Sequence, residues 1–530
     1  MLAQDEEYHD LASLVRGKAL KNGDRAALRF VGTEWSYAEL DRRSDAVARG
    51  LAASGIASGE RVATLLYNGP EFVATWFAAA KLGVTSVPLN TGLKGELLRY
   101  ELADCAPKGL VVDARLIEPY LPYRTELAIP REWVVEGAGL GHPVGDGFVP
   151  FHDLLREGPA LDPTPPAPSD PASILYTSGT TGPPKGALIP HEQMISTPVE
   201  IGRRSRLEGD SVLYSALPLF HCNAQEMTLL TALLNDLTAA FDERFRASTF
   251  WETAAALGAT HVSLLIAMIN VLYKQPEKPT DLTHRVRTAL TAGATRAIWP
   301  KFEERFGLTV VELYGMTECG CTTLMNPPGA IRVGSVGTPL GFVEADVVDD
   351  QDRPVPVGER GELVVRPRRA YTMFLRYLNK PEATVDAWRN LWFHTGDYVR
   401  RDADGYYFFI DRKKDVIRRR GENIAPYDVE SVLNAHPAVF ESVVVGVPSE
   451  VGEEDVKAFV RFRDGADVPP RDLFLWCGER LPFFMVPRYL EVVGEIPKTA
   501  NQKAQRFLLK GRRGEAEYDR EKLGITLRRA

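Results

Sequence analysis

Apolar and polar positions along this chain fall into two alternating registers. Short apolar runs at Val62–Tyr67, Val84–Leu89 and Gly109–Asp113 have the length and texture of buried strands. Between them, Pro70–Leu82 and the stretch near Leu93–Cys105 repeat apolar residues three and four apart, which predicts helices with one buried face. Ahead of them, Ser36-Tyr-Ala-Glu39 has the form of a capping box opening a helix with Leu40, Val47 and Leu51 on its apolar side. Gly55 stops that helix and Gly83 the next. Strands alternating with such helices pair in parallel, so the pattern predicts an α/β fold.

The alternation is interrupted once. Gly158–Pro171 carries six prolines, so a linker that neither pairs nor coils is expected there. It delivers the chain to Ala172–Leu175, another buried-strand run. The alternation then resumes with strand Val212–Leu217, helices near Ala224–Leu234 and Ala247–Leu257, strand His261–Leu265, and further strands at Arg287–Leu290 and Val310–Leu313. Leu217-Pro-Leu-Phe-His221, Thr291-Ala-Gly-Ala294 and Tyr314-Gly-Met-Thr-Glu318 each follow one of these strands. Together with the loop after Leu175, they are expected along one edge of the sheet.

From about Arg332 the texture changes to short strands with turns, Gly361–Val365 and Tyr406–Ile410, with Asp402-Ala-Asp-Gly405 as a hairpin turn. Past the charge cluster Asp411–Asp415 the pattern predicts a compact βαβ-like region. It has a helix from Pro426, strands Glu441–Val447 and Ala458–Arg463, a helix near Arg471–Arg480 and strand Tyr489–Val493. The domain boundary is placed at the cluster, dividing residues 1–411 from 416–530 with 412–415 as hinge. The charged tail after Lys510 reads as a solvated helix or fray.

Composition narrows the function. A chain of 530 residues makes about three to four domain-sized units. Hydrophobic content of 45% and a net charge of −8 fit a globular protein and argue against nucleic acid or an anionic membrane as the main partner. The five cysteines (Cys105, Cys222, Cys319, Cys321, Cys477) have no zinc-type spacing and read as small packing residues. The acidic start lacks the pattern of a signal peptide, and no apolar run is long enough to span a bilayer. A cytoplasmic, reduced protein is expected.

The richest stretch is Tyr176-Thr-Ser-Gly-Thr-Thr-Gly-Pro-Pro-Lys185-Gly186. Thr177, Ser178, Thr180 and Thr181 offer hydroxyls, and Gly179 and its fellow glycines bring backbone N–H groups close, a set of donors suited to phosphate oxygens. Lys185 adds a positive charge for the terminal phosphates. A P-loop would place Gly-Lys-Ser/Thr at the start of a helix, whereas Pro183-Pro184 precede this lysine and no hydroxyl follows it. The expectation is a nucleoside triphosphate held in another way; a flexible linker is the bland alternative.

Other clusters suit the same ligand. Glu318 beside a triphosphate is placed to hold Mg²⁺, Tyr314 offers a ring face for adenine, and Thr317 a hydroxyl for the α-phosphate. Asp397, ending Trp392-Phe-His-Thr-Gly-Asp, can accept hydrogen bonds from both ribose hydroxyls, with Arg412 either joining it or making a surface salt bridge. His221 either gates a carboxylate pocket or stacks within its loop. Lys503, in Ile496-Pro-Lys-Thr-Ala-Asn-Gln-Lys, could neutralise both a carboxylate and the α-phosphate it attacks. No Ser/His/Asp or Cys/His set is evident, so a protein nucleophile is not indicated.

Taken together, these motifs resemble the adenylate-forming superfamily over about Ser36–Arg506, and within it the carnitine/crotonobetaine-type and medium-chain acyl-CoA ligases. The resemblance implies a large N-terminal domain of two α/β subdomains plus a distorted β-barrel subdomain, and a small mobile α+β C-terminal lid. It implies two half-reactions: a carboxylic acid and MgATP give acyl-AMP and pyrophosphate, then the lid rotates and the CoA thiol attacks. ATP, Mg²⁺ and CoA are the expected cofactors. Lys414 resembles the hinge, Gly421 with Glu422 the CoA channel, and Lys503 the adenylation lysine. Glu312, Leu313, Gly315 and Met316 join Tyr314, Thr317, Gly293 and Ala294 around the nucleotide. His221, Cys222, Gln225, Ala292, Gly293, Gly320 and Cys321 are implied for the acyl pocket, whose small apolar lining hints at a bulky hydrophobic acid.

One departure stands out: the family usually has glycine before the adenylation lysine, and this chain has Gln502. An enzyme competent mainly in thioester formation is therefore an alternative, as is one that loads an acyl carrier protein in place of CoA. A catalytically silent nucleotide-binding protein is disfavoured by the intact charged positions. A homodimer is left open.

Overall fold

The computed structural model describes residues 8–136, 147–159, 161, 164–177, 184–293, 296, 298–413, 415–419, 422–424, 426–449, 454–466, 468–498, 504–512, 514 and 516–525. The chain forms two compact units, one of residues 1–294, 302–345 and 365–393, the other of 295–301, 346–364 and 394–530. The charge cluster 411–415 lies within the second unit. Among the described residues no helix is long and apolar enough to cross a membrane.

The first unit holds two large sheets. In one, Thr309–Tyr314, Thr288–Ala292, His261–Leu265, Val212–Ser215 and Thr238–Phe241 lie side by side in parallel. The other is built on Pro171–Thr177, Thr85–Pro88, Arg61–Leu65, Gly109–Asp113 and Arg131–Val135, again parallel. Gly109–Asp113 is buried throughout, which is why its sequence is an unbroken apolar run and not an alternating one. The expected helix after Ser36 spans Tyr37–Ala53, with the Ser36 side chain accepting from Glu39 N at 3.1 Å.

Two sheets correct one expectation. The loops after Ser215, Ala292 and Tyr314 do share a carboxyl edge, since their strands are parallel neighbours. The strand leading into the phosphate loop belongs to the other sheet: Pro171–Thr177 pairs antiparallel with Lys185–Pro190, the two arms of a hairpin. Local pattern marks a strand end but not which sheet the strand joins. The proline-rich stretch also does not end unpaired, because Pro171 opens this strand opposite Pro190.

A five-stranded sheet of short strands occupies 343–412, within the stretch from about Arg332 that was expected to hold short strands and turns. Within the second unit, Tyr398–Arg401 pairs antiparallel with Tyr407–Asp411, and the Asp402 carboxylate accepts from Asp404 N at 3.1 Å and Tyr406 N at 2.9 Å in the turn between them. A four-stranded sheet follows, Val439–Pro448, Glu454–Phe462, Tyr489–Val492 and Glu517–Asp519. With helices Pro426–Asn434 and Pro470–Arg480 it encloses Val429, Val444, Phe474 and Leu490. The last strand corrects the reading of the tail as fray: Glu517–Asp519 pairs with Tyr489–Glu491, and Lys457, buried beside it, meets Glu517 at 2.5 Å and Glu491 at 2.8 Å.

Candidate active site

Asn68 fixes the loop after Val212–Ser215. Its side-chain amide donates to Leu217 O and Asp242 O, both at 2.9 Å, and its oxygen accepts from Leu219 N at 2.7 Å. His221 follows, its ring against Phe220 at 4.5 Å between centroids. A helix was expected near Ala224–Leu234 and is present: Asn223–Leu230 winds as a π-helix, a form often found at functional sites, and Thr231–Leu234 continues it as α. Gln225 is fully buried and ties this helix to the loop by donating to Leu219 O at 2.7 Å.

The loop from Gly315 to Cys321 closes on itself so tightly that a Cβ on Gly315 would overlap the Cys321 carbonyl. Five groups hold it. Gln193 donates to Thr317 O at 3.0 Å, and Phe374 N donates to Glu318 O at 2.9 Å. Cys222 Sγ lies 3.7 Å from Thr317 Oγ1. Tyr377 donates its hydroxyl to Glu318 Oε1 at 2.9 Å, and Cys321 N donates to Glu226 Oε2 at 3.1 Å. Gly320 has φ +83°, and a side chain there would strike Thr197 Oγ1.

Tyr377 also meets the phosphate hairpin. It pairs with Ala187 at the hairpin's outer strand, and Lys185 Nζ sits 4.3 Å from its ring centroid, a contact worth roughly 0.5–2 kcal/mol. Burial, and then the Glu318 carboxylate, push the Tyr377 phenol far above its ordinary value, so it remains a donor. At the hairpin's neck Thr177 Oγ1 donates to Lys185 O at 3.3 Å, and Tyr100 donates to Pro184 O at 3.2 Å. Thus a cation, an aromatic ring and a buried carboxylate form a chain from one sheet to the loop of the other.

Glu226 is the least expected member. It is fully buried, and burial pushes its carboxyl up to about 7 against the smaller, opposing pull of Cys321, Gln193 and Thr197. Gly293, with φ +95°, and Ala292 lie at the end of their strand beside Ile266. Glu312 O accepts from Asn326 N at 3.1 Å, and Leu313 and Tyr314 are buried at the end of theirs.

In the second unit, Gly396, with φ +73°, turns the chain so that Asp397 N donates to Thr395 Oγ1 at 3.1 Å, while Thr395 donates to Leu363 O at 2.7 Å. Asp397 pairs in register with Arg412, whose Nε lies 3.8 Å from Asp397 Oδ1. Beneath the turn, Glu362 accepts from Gly396 N at 3.1 Å and meets Lys413 Nζ at 3.2 Å and His394 Nδ1 at 3.4 Å. Burial opposes its charge, but His394 and Lys413 outweigh it and hold the carboxyl at about 2.

A family model of AMP-binding enzymes matches residues 15–378, and one of the AMP-binding enzyme C-terminal domain matches 428–503. The chain belongs to the adenylate-forming AMP-binding enzymes. Among its relatives in that family, crotonobetaine/carnitine–CoA ligase of Salmonella typhimurium (strain LT2) is 33% identical over 492 residues, 91% of this chain and 95% of the relative. The anthranilate CoA ligase AuaEII, solved with anthranoyl-AMP, superimposes with a TM-score of 0.87 at 27% identity over 95% of this chain and 96% of that one. O-succinylbenzoate CoA synthetase from Bacillus subtilis, solved with ATP and magnesium ion, gives 0.80 at 26% identity over 94% and 99%. This AMP-binding enzyme is of the acyl-CoA ligase type.

Its residues fit Mg²⁺ bound with substrate. Among the described residues no three His, Cys, Asp or Glu side chains gather to hold a metal. The buried Glu318 carboxylate, held by the Tyr377 hydroxyl on Oε1, is the kind of single protein ligand that a Mg²⁺ ion carrying phosphate oxygens and water would use. Ser178, Gly179, Thr180, Thr181, Ala294, Lys414, Gly421, Gln502 and Lys503 lie outside the described residues, as does the side chain of Glu422. The flanks of Lys503 are described: Lys498 and Ala504 form an antiparallel bridge. Sequence reasoning missed Gln193, Glu226, Glu362 and Tyr377. Only the acidic residue within the apolar stretch Ala224–Leu234 was a visible signal.

Proposed function

We propose that this enzyme is an AMP-forming carboxylic acid–CoA ligase working through an acyl-adenylate. The reading is carried by the linked trio Lys185, Tyr377 and Glu318, which ties a triphosphate-suited hairpin to a metal-suited carboxylate. Lys185 and the hydroxyls of 177–181 neutralise the β- and γ-phosphates, and Thr317 meets the α-phosphate. Tyr314 and Gly315 bound the adenine, and Asp397 with Arg412 takes the ribose. Mg²⁺, when bound at Glu318, would draw charge from the phosphates.

An oxygen of the acid's carboxylate attacks the α-phosphorus, the bond to the bridging oxygen of pyrophosphate breaks, and pyrophosphate leaves. Lys503 balances the charge of acid and α-phosphate, so positioning and neutralisation supply the catalysis. The lid then rotates, the sulfur of CoA attacks the acyl carbonyl near Gly421, and AMP leaves. CoA is preferred to a carrier protein as acceptor because relatives across the length of this chain are named CoA ligases.

The test is isotope exchange between pyrophosphate and ATP across a panel of carboxylic acids, followed by detection of AMP and CoA thioester. Acid-dependent exchange and thioester are expected. Thioester from supplied acyl-adenylate without exchange would show that Gln502 disables the first step. Neither reaction with any acid would overturn the proposal.

A further inference from the structure

Three polar side-chain atoms meet behind the loop Thr317–Cys321 without hydrogen-bond partners among the described residues: Glu226 Oε1, Gln193 Oε1 and Thr197 Oγ1. All three residues are buried. The Gln193 and Thr197 side chains face the Glu226 carboxyl, yet neither reaches Oε1 with hydrogen-bond geometry. Buried polar atoms are nearly always satisfied, and each orphan costs about 1–3 kcal/mol. No lysine or arginine pairs with Glu226 among the described residues. A protein holding the loop by Cys321 N alone could use a backbone carbonyl or a serine at far lower desolvation cost than a carboxyl.

The position fixes what the group would meet. Cys222, the N-cap of the π-helix Asn223–Leu230 that carries Glu226, touches Thr317, the residue proposed to face the reacting phosphate. Gln193 donates to Thr317 O at 3.0 Å and also faces the Glu226 carboxyl, so a single side chain spans from the proposed reacting end to the glutamate. An acid with its carboxylate at Thr317 and its tail along the helix therefore reaches Glu226 with atoms a few bonds from the carboxyl.

Resting on the ligase reading, we propose that Glu226, Gln193 and Thr197 form a subsite for a hydrogen-bond-donating group, an amine or hydroxyl, on the acyl chain of the acid. Gln193 Oε1 accepts, Glu226 Oε1 accepts when ionised, and Thr197 Oγ1 accepts or donates, so a ligand N–H or O–H satisfies them and a methyl group does not. This sharpens the expectation of a bulky hydrophobic acid: beside the apolar lining expected for it stand three polar atoms.

The experiment compares matched acids, butanoate with 4-aminobutanoate and 4-hydroxybutanoate, and benzoate with its 3- and 4-amino and hydroxy forms. Binding is measured by calorimetry, which needs no turnover, and pyrophosphate exchange is measured alongside. In at least one series the donor-bearing acid should bind about tenfold or more tightly than its parent. Glu226→Gln, which keeps an acceptor for Cys321 N but turns an NH₂ donor toward the ligand, and the near-isosteric Thr197→Val should each shrink that ratio, leaving the parent acid's affinity within a few-fold. A merely structural role would weaken both acids equally and leave the ratio unchanged, which overturns the subsite, as does equal affinity within every series in the wild type. Selective binding without exchange would count against the ligase reading alone.

Discussion

Glu226 and Glu362 hold functional loops in the same way, each accepting a backbone N–H, from Cys321 at 3.1 Å and from Gly396 at 3.1 Å. Their surroundings differ. Among the described residues only neutral groups surround Glu226, and burial lifts its carboxyl from an ordinary 4.5 to about 7. Around Glu362 stand Lys413 and His394, and the same residue type falls to about 2. Enclosure alone does not decide whether a buried acid carries charge; the partner within reach does. Glu362 is thus a fixed anion that anchors the Asp397 turn. Glu226 is poised between its two forms, as suits a group that meets a ligand and not a permanent counter-ion.

The strongest way to break this contrast is to remove the anion. Glu362→Leu leaves Lys413, His394 and Gly396 N without their acceptor, and should cost about 3–5 kcal/mol of unfolding free energy in urea. It should also raise the KM for ATP through the loosened Asp397 turn. A loss below about 1 kcal/mol would mean the ion pairs are not what holds the turn.

The next tests are two pH profiles with opposite signs. Glu362 is depressed, so its contribution is present above about 4.5 and lost as pH falls toward 2. The stability advantage of wild type over Glu362→Gln should shrink over that window by at most roughly 3 kcal/mol. Glu226 is raised, so the folded state keeps its proton longer, and stability falls as pH rises from about 4.5 to 7. Relative to Glu226→Gln, wild type should lose up to roughly 3 kcal/mol across that rise. Melting curves at stepped pH measure both, and slopes of one sign would erase the distinction.

The smallest effect concerns a neutral donor on a carboxylate. Tyr377→Phe keeps the ring under Lys185 but removes the hydroxyl from Glu318. A net loss of about 1 kcal/mol should raise the Mg²⁺ concentration for half-maximal pyrophosphate exchange several-fold, with melting temperature little changed. An unchanged Mg²⁺ requirement would show that Glu318 does not depend on this tyrosine for its position.

Much of the fold is local chemistry and was legible in the chain. The Ser36 cap, the run Gly109–Asp113, the strand His261–Leu265 and the Asp402 turn each depend on residues within a few positions of one another. A period of two or 3.6, a capping side chain or a turn glycine therefore announces them. The hydroxyl- and glycine-rich stretch 176–186 was equally readable, because its chemistry lies in consecutive residues. Tertiary structure alone decided which sheet that stretch joins, that Glu517–Asp519 forms a strand, and which partners the buried acids find. Tyr377 and Glu318 are 59 residues apart, and Cys321 and Glu226 are 95. Such pairs carry no periodic signature. Whether a glutamate in an apolar helix is ionised, protonated or waiting for a ligand depends on groups that only folding brings within a few ångströms of it.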